Sequence, residues 1–214
     1  WSRGCWNRLG RLLYGKVMEC GREKDSELAQ HFLLPEKAFS HDCLCGRLQV
    51  SLQKRRRQGV VAQAALLCKA DLVTGVVGEF PELQGIAGGH YALHDGEIAS
   101  VADAIEQHYW PKFSGDSLPL TPEAAALALA DRLDTLVGIF GIGQSPTGSK
   151  DPFALRRASL AAIRILLRFA PNANIDDLLH EACASFNEGV LTPSVVETVK
   201  GYLLDRLPAH YDEQ

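Results

Sequence analysis

The run Thr121-Pro122-Glu123-Ala124-Ala125-Ala126-Leu127-Ala128-Leu129-Ala130-Asp131-Arg132-Leu133-Asp134-Thr135-Leu136-Val137 decides the fold class. A threonine followed by proline is a helix start: the hydroxyl can accept from a first-turn N–H, and proline at the first helical position lacks an N–H that would have no partner anyway. The Ala-rich sequence that follows carries a helix to about Val137, before Gly138, Gly141 and Gly143.

Working outward, the same helical texture recurs. Val60 to Leu72 reads as a buried Ala/Leu-rich helix. Glu97 to Tyr109 reads as another, with Val101, Ile105 and Tyr109 in register and Pro111 as its stop. Asp151-Pro152 is expected to open a helix to about Ala170, and Ile175–Asn187 and Pro193–Leu207 two more. Leu9, Leu12, Leu13, Val17 and Met18 give helical spacing within residues 1–30, whereas 31–58 is mixed and broken by Pro35 and Gly46. Gly75, Gly78, Pro81, Gly85, Gly88 and Gly89 read as a loop-rich stretch whose glycines allow a close backbone approach. No alternating run of strand length occurs, so the chain is expected to be all-α, and the loop at 144–151 is the best internal boundary.

Composition narrows the function classes. Apolar residues at 46% and charged residues at 22% describe a globular chain, not a disordered one. A net charge of −4 argues against coating nucleic acid by overall charge and leaves only a local basic patch. No run of apolar residues is long enough for a membrane span. The six cysteines, Cys5, Cys20, Cys43, Cys45, Cys68 and Cys183, are irregularly spaced, which favours reduced thiols; Cys43-x-Cys45 without a second pair is a poor zinc signal. The chain starts with Trp1, and a piece of a longer protein is expected.

Several residue groups can carry chemistry. Asp131 and Asp134 fall on one helix face and can bind a metal or share a proton; solvated acids partnered by Arg132 are the plainer reading. His41-Asp42 is a literal His-Asp dyad of the kind that ligates divalent metals in helical phosphohydrolases, but it lies in the unpatterned segment. Lys69 and Asp71 end an apolar helix and need partners or an outward path. Lys54-Arg55-Arg56-Arg57 is either a solvated face or a phosphate-contacting patch. Arg157, Arg164 and Arg168 share one stripe beside Leu155, Ile163, Leu166 and Ala170, with Lys150 and Arg156 near the helix entry. Such a stripe, aided by the positive end of the helix dipole, suits phosphates of a structured RNA; an ordinary amphipathic surface has the same spacing.

Longer blocks carry a family likeness. Lys69-Ala70-Asp71-Leu72-Val73-Thr74, Glu79-Phe80-Pro81-Glu82-Leu83-Gln84-Gly85, His90-Tyr91-Ala92, Gly96-Glu97, Ala130 to Gly138, Ile139-Phe140-Gly141-Ile142-Gly143 and Pro146 to Arg157 closely resemble, in order, the beta subunit of the bacterial-type tetrameric glycyl-tRNA synthetase. The likeness covers about 60–210. Leu9-Gly10 to Lys16-Val17 is a weaker echo, with Gly15 where an aspartate is expected, and 30–58 does not resemble the family.

The resemblance implies a degenerate HD-like helical domain over 1–150, followed by the start of a DALR-like anticodon-binding region over 151–214. It implies tRNA(Gly) recognition by this chain and, as partner, the alpha subunit of an alpha2beta2 holoenzyme. That alpha subunit holds the class II site for glycine and uses ATP with magnesium. It implies no catalytic residue, metal or cofactor in this chain, no membrane, and a bacterial cytoplasmic or organellar location. The RNA-binding residues are then Lys150, Arg156, Arg157, Arg164 and Arg168. At the helix end where an active HD domain needs His-Asp stand Cys68-Lys69-Ala70-Asp71, and a lysine ammonium repels a divalent cation. Lys69, Asp71, Asp131 and Asp134, the last a remnant of the distal aspartate, are therefore expected to form a structural polar network. The alternative is a metal-dependent HD phosphohydrolase using His31, His41, Asp42 and Asp134.

Overall fold

The computed structural model describes residues 54–147, 150–186 and 189–208. The expected helix within 1–30, His31, His41-Asp42, and Cys5, Cys20, Cys43 and Cys45 lie outside them. Among the described residues the chain is all-α: α1 (Lys54–Leu67), α2 (Gly75–Glu79), α3 (Ile86–His94), α4 (Ala99–Gln107), α5 (Pro122–Gly141), α6 (Leu155–Phe169), α7 (Ile175–Cys183) and α8 (Val195–Leu204), with 3₁₀ turns at Ala70–Val73 and Pro81–Leu83. None of these helices is long and apolar enough to cross a membrane.

The organising element is α5. Thr121 Oγ1 accepts from Ala124 N at 3.2 Å and Pro122 opens the first turn, as the sequence predicts. Almost every later position is buried, including Leu127, Leu129, Leu133 and Leu136, because the helix is covered on several sides. Ala124 and Leu127, near its start, join a core with Val60, Ala64 and Leu67 of α1, Ala92 of α3, and Val101 and Ile105 of α4. Leu133, Leu136 and Ile139 join a larger one with Leu155, Ala162 and Ile165 of α6, Leu178 and Leu179 of α7, and Val199 and Leu203 of α8. Small alanines in the first turns let neighbouring helices come close, and larger side chains fill the far end. The loop at 144–151, expected as the internal boundary, thus joins two helices of one core.

Four sequence expectations need correction, each for a local reason. First, α5 continues past Val137 to Gly141. Gly141 is not a stop but a contact point: a Cβ there would overlap Leu191, and the Gly141 carbonyl accepts from Thr192 N at 3.0 Å. Second, the glycine-rich stretch 75–89 is largely helical. The close approach its glycines permit is between helices: a Cβ on Gly88 would lie 2.9 Å from Ile105 Cγ2, and one on Gly89 3.1 Å from the Ala102 carbonyl. Third, α6 starts at Leu155, not at Pro152. Asp151 caps it from a distance, its carboxylate accepting from Leu155 N at 2.8 Å and Arg156 N at 3.0 Å, after Ala154 has taken a left-handed conformation with φ 55°. Fourth, at the other end of the described chain, α1 begins with the basic run Lys54–Arg57 and ends at Leu67, so residues 70–72 belong to a separate turn.

Candidate functional site

The ends of α1 and α4 meet the middle of α5 at a polar junction. Lys69 Nζ lies 3.1 Å from Asp131 Oδ1 and 4.5 Å from the centre of the Tyr109 ring, with somewhat under a third of each ion-pair side chain accessible. Burial works against the Lys69 charge, but the Asp131 carboxylate outweighs it and holds the ammonium pKa above its usual value. The converse holds for Asp131: burial pushes it up, and Lys69, His108 and Arg132 together hold it well below the ordinary carboxylate range. Cys68 beside them is a buried free thiol, pushed up to about 12 by burial.

The four residues expected as one network separate into three arrangements. Lys69 and Asp131 pair. Asp71 turns to the start of α3, where its Oδ2 accepts from Gly85 N at 2.6 Å; burial raises its pKa against the pull of the Gly85 and Gly88 N–H groups. Asp134 lies with α7, its Oδ1 accepting from Ser185 Oγ at 3.2 Å. The distance along the helix explains this: three residues separate Asp131 from Asp134, and the first faces the α1 side while the second faces α7 and its exit. Asp134 is the one residue of the phosphohydrolase reading that falls among the described residues.

Sequence reasoning missed the centre of the junction, Arg132. Read as a solvated partner of the neighbouring acids, it is instead buried. Its Nη1 donates to the carbonyls of His108 and Ala128, both at 2.8 Å. Its Nη2 donates to Tyr109, Trp110 and Pro111, at 2.9, 2.9 and 3.2 Å. One guanidinium thus gathers the carbonyls of the four residues that follow α4, at the negative end of that helix's dipole. The available signal was an arginine inside an Ala/Leu-rich helix. His108 is fully buried; its Nδ1 donates to the Ile105 carbonyl at 2.5 Å, which assigns the neutral Nδ1–H tautomer. Burial, reinforced by the Lys69 charge, lowers its pKa to about 3.

The α6 face differs in kind. Leu155, Ala161, Ala162, Ile163 and Ile165 are buried, and Arg157 and Arg168 are exposed, as the spacing predicts. Arg168 lies 5.3 Å from the Phe169 ring centre, and Lys150 is exposed in the loop before the helix. Arg156 is half-buried. Arg164 departs from the stripe: it is half-buried, and its Nη2 donates to the Asp116 carbonyl at 2.7 Å. The positive helix end expected to aid an anion is occupied by the Asp151 carboxylate. The exposed cations here are therefore Lys150, Arg157 and Arg168, with Arg164 holding a loop.

Against known proteins, residues 36–214 match the family model described as glycyl-tRNA synthetase beta subunit. The match takes in 36–58 and corrects the expectation that 30–58 does not resemble the family: the likeness extends upstream of the blocks that first carry it. The chain is 51% identical over 152 residues to the glycine–tRNA ligase beta subunit of Azotobacter vinelandii, covering 71% of this chain and 22% of that protein. It is 54% identical over 147 residues to that of Aromatoleum aromaticum, covering 68% and 21%. For the Janthinobacterium protein the figures are 53% over 160 residues, covering 73% and 23%. The chain thus spans about a fifth of the length of the curated relatives it matches. With the family match running through every described helix, the chain belongs to the glycyl-tRNA synthetase beta subunit family.

Proposed function

We propose that this chain supplies part of the tRNA(Gly)-recognition surface of a glycyl-tRNA synthetase and contributes no reacting group of its own. The observation that carries the reading is its identity of about half to glycine–tRNA ligase beta subunits over some 150 residues. The geometry supports it. The polar junction uses its charges on one another and on backbone carbonyls, with Lys69 against the carboxylate a metal would need. The exposed cations lie elsewhere, on and before α6. In this reading the alpha subunit of an alpha2beta2 cytoplasmic holoenzyme binds glycine and uses ATP with magnesium, and this chain holds RNA phosphates through Lys150, Arg157 and Arg168.

The test is binding of labelled glycine tRNA across a salt series, with and without the alpha subunit. Phosphate contacts release counterions, so affinity falls with salt in proportion to their number. Changing Arg157→Gln and Arg168→Gln together is expected to weaken binding by about 1–2 kcal/mol and to flatten the salt slope. A double variant with parental affinity and slope refutes the α6 contact.

A further inference from the structure

The segment between α4 and α5 is held far more firmly than a connection of its length requires, yet it presents an aromatic ring to solvent. At its first foot, Arg132 binds the carbonyls of residues 108 to 111, and Pro111 is buried. At its second foot, Leu120 N donates to Gln107 Oε1 at 2.8 Å, and Pro119 is buried. Between them Phe113-Ser114-Gly115-Asp116 makes a tight turn. Asp116 N donates to the Phe113 carbonyl at 3.2 Å, and Gly115 takes the positive φ, 78°, that a type II turn requires at that place. The Asp116 carboxylate then closes the loop on itself, accepting from Lys112 N at 2.7 Å and Ser117 N at 2.8 Å. Finally, Arg164 reaches from α6 to the Asp116 carbonyl.

The product of all this fixing is Phe113, 61% exposed, with Lys112 exposed beside it. The Arg164 bond brings the turn against the arginine stripe of α6. Arg157 and Arg168 lie on the same stripe, roughly 10 Å and 6 Å along the axis from Arg164. An exposed phenylalanine alone is unremarkable. A rigid one, next to exposed Lys112 and small polar Ser114, Gly115 and Ser117, on a turn tied through Arg164 to the helix that carries exposed Arg157 and Arg168, fits a particular kind of partner. The segment exposes one other large apolar side chain, Leu120 at 73%, and two such side chains fall short of the broad apolar patch a protein interface calls for. An RNA whose bases are unstacked offers a flat apolar face beside its phosphates, and aromatic stacking with cationic flanks is how proteins hold such bases.

We propose that Phe113 is a stacking platform for an unpaired base of the bound RNA, with Lys112, Arg157 and Arg168 on the neighbouring phosphates. This rests on the tRNA reading above and adds to it a requirement for unpaired nucleotides.

The test compares the full chain with three variants, Phe113→Ala, Phe113→Trp, and Arg157→Gln with Arg168→Gln, against two probes: glycine tRNA and a blunt, fully paired RNA duplex. The Phe113→Ala variant is expected to bind tRNA about five- to fiftyfold more weakly, the scale of losing one base–aromatic stack, with an unchanged salt slope because no phosphate contact is lost. Its duplex binding is expected to equal the parent's, and Phe113→Trp to restore tRNA binding. The double arginine variant is expected to weaken both probes and flatten both slopes. Parental tRNA affinity in Phe113→Ala, alongside a weakened arginine variant, overturns the platform and leaves the tRNA reading standing. Equal weakening on tRNA and duplex also overturns the platform. So does loss of co-purification with the alpha subunit without loss of tRNA affinity, which marks Phe113 as a protein contact. No tRNA binding by the parent, alone and with the alpha subunit, overturns both readings.

Discussion

The polar junction around Arg132 and the cationic face around Arg157 and Arg168 contain similar residue types and treat them in opposite ways. At the junction each charge has a partner inside the protein: Lys69 has Asp131, and Arg132 has the carbonyls at the end of α4. On α6 the guanidinium groups of Arg157 and Arg168 stand in solvent, Arg156 is half-buried, and Arg164 is drawn inward onto the Asp116 carbonyl. A buried charge must be satisfied where it stands, because leaving it unpaired costs several kcal/mol; an exposed one costs little and remains available to a ligand. The comparison therefore separates charges that hold the fold from charges free to hold something else. It predicts that substitutions in the first region act on stability and those in the second on RNA affinity.

The sharpest break comes from Arg132→Ala. It leaves the buried and half-buried carbonyls of residues 108–111, just past α4, without their side-chain donor and removes the tie to that loop. Losing one partner of a buried, charge-assisted cluster costs about 3–5 kcal/mol. The expected outcome in urea denaturation is a loss of that size with the denaturant slope retained. A loss below about 1 kcal/mol would remove Arg132 from the centre of the junction.

His108 sharpens the same side of the comparison through pH. Its folded pKa is lowered to about 3, while the unfolded side chain titrates near the ordinary 6.5. Below about pH 6.5 the unfolded chain therefore takes up a proton that the folded chain does not, and stability falls as pH falls. The slope approaches about 1.4 kcal/mol per pH unit for one proton. Asp131, held low by Lys69, adds a loss of the same sign only near and below the ordinary carboxylate range, while Asp71, raised by burial, acts with the opposite sign above it, so the His108 contribution is read as the difference between the parent and a His108 variant from about pH 6 to 4.5. His108→Gln is expected to flatten stability against pH in that interval, whatever it does to stability at neutral pH. An undiminished slope would mean that another group carries the proton.

The regions also differ in how far the sequence discloses them. The fold class, α5 with its Thr121-Pro122 start, and the exposure of Arg157 and Arg168 follow from local periodicity and capping chemistry, which act within a few residues. The helices across 75–94 do not, because Gly88 and Gly89 are helical only by virtue of α4 lying against them, and a glycine that breaks an isolated helix serves a packed one. The same holds at the junction. Arg132 looks like any arginine among acids until the end of α4 is brought beside it. The separation of Asp71, Asp131 and Asp134 depends on α3, α1 and α7, which spacing within one helix cannot supply.

Arg164 is the point where the two regions touch, and it gives the smallest and most discriminating effect. Spacing alone makes it one of three equivalent arginines, so that Arg164→Gln would remove one phosphate contact and flatten the salt slope as Arg157→Gln does. The bond from its Nη2 to the Asp116 carbonyl makes it a strut for the turn that presents Phe113. Glutamine is too short to replace that bond, and losing one half-buried hydrogen bond costs about 0.5–1.5 kcal/mol. The expected result is therefore a small loss of thermal stability with the salt slope of tRNA binding unchanged. Any loss of affinity should be no larger than that of Phe113→Ala, because it acts through the turn. A slope flattened to the extent seen with Arg157→Gln would instead place Arg164 among the exposed cations, and the boundary between fold-holding and RNA-holding charge would have to be drawn below it.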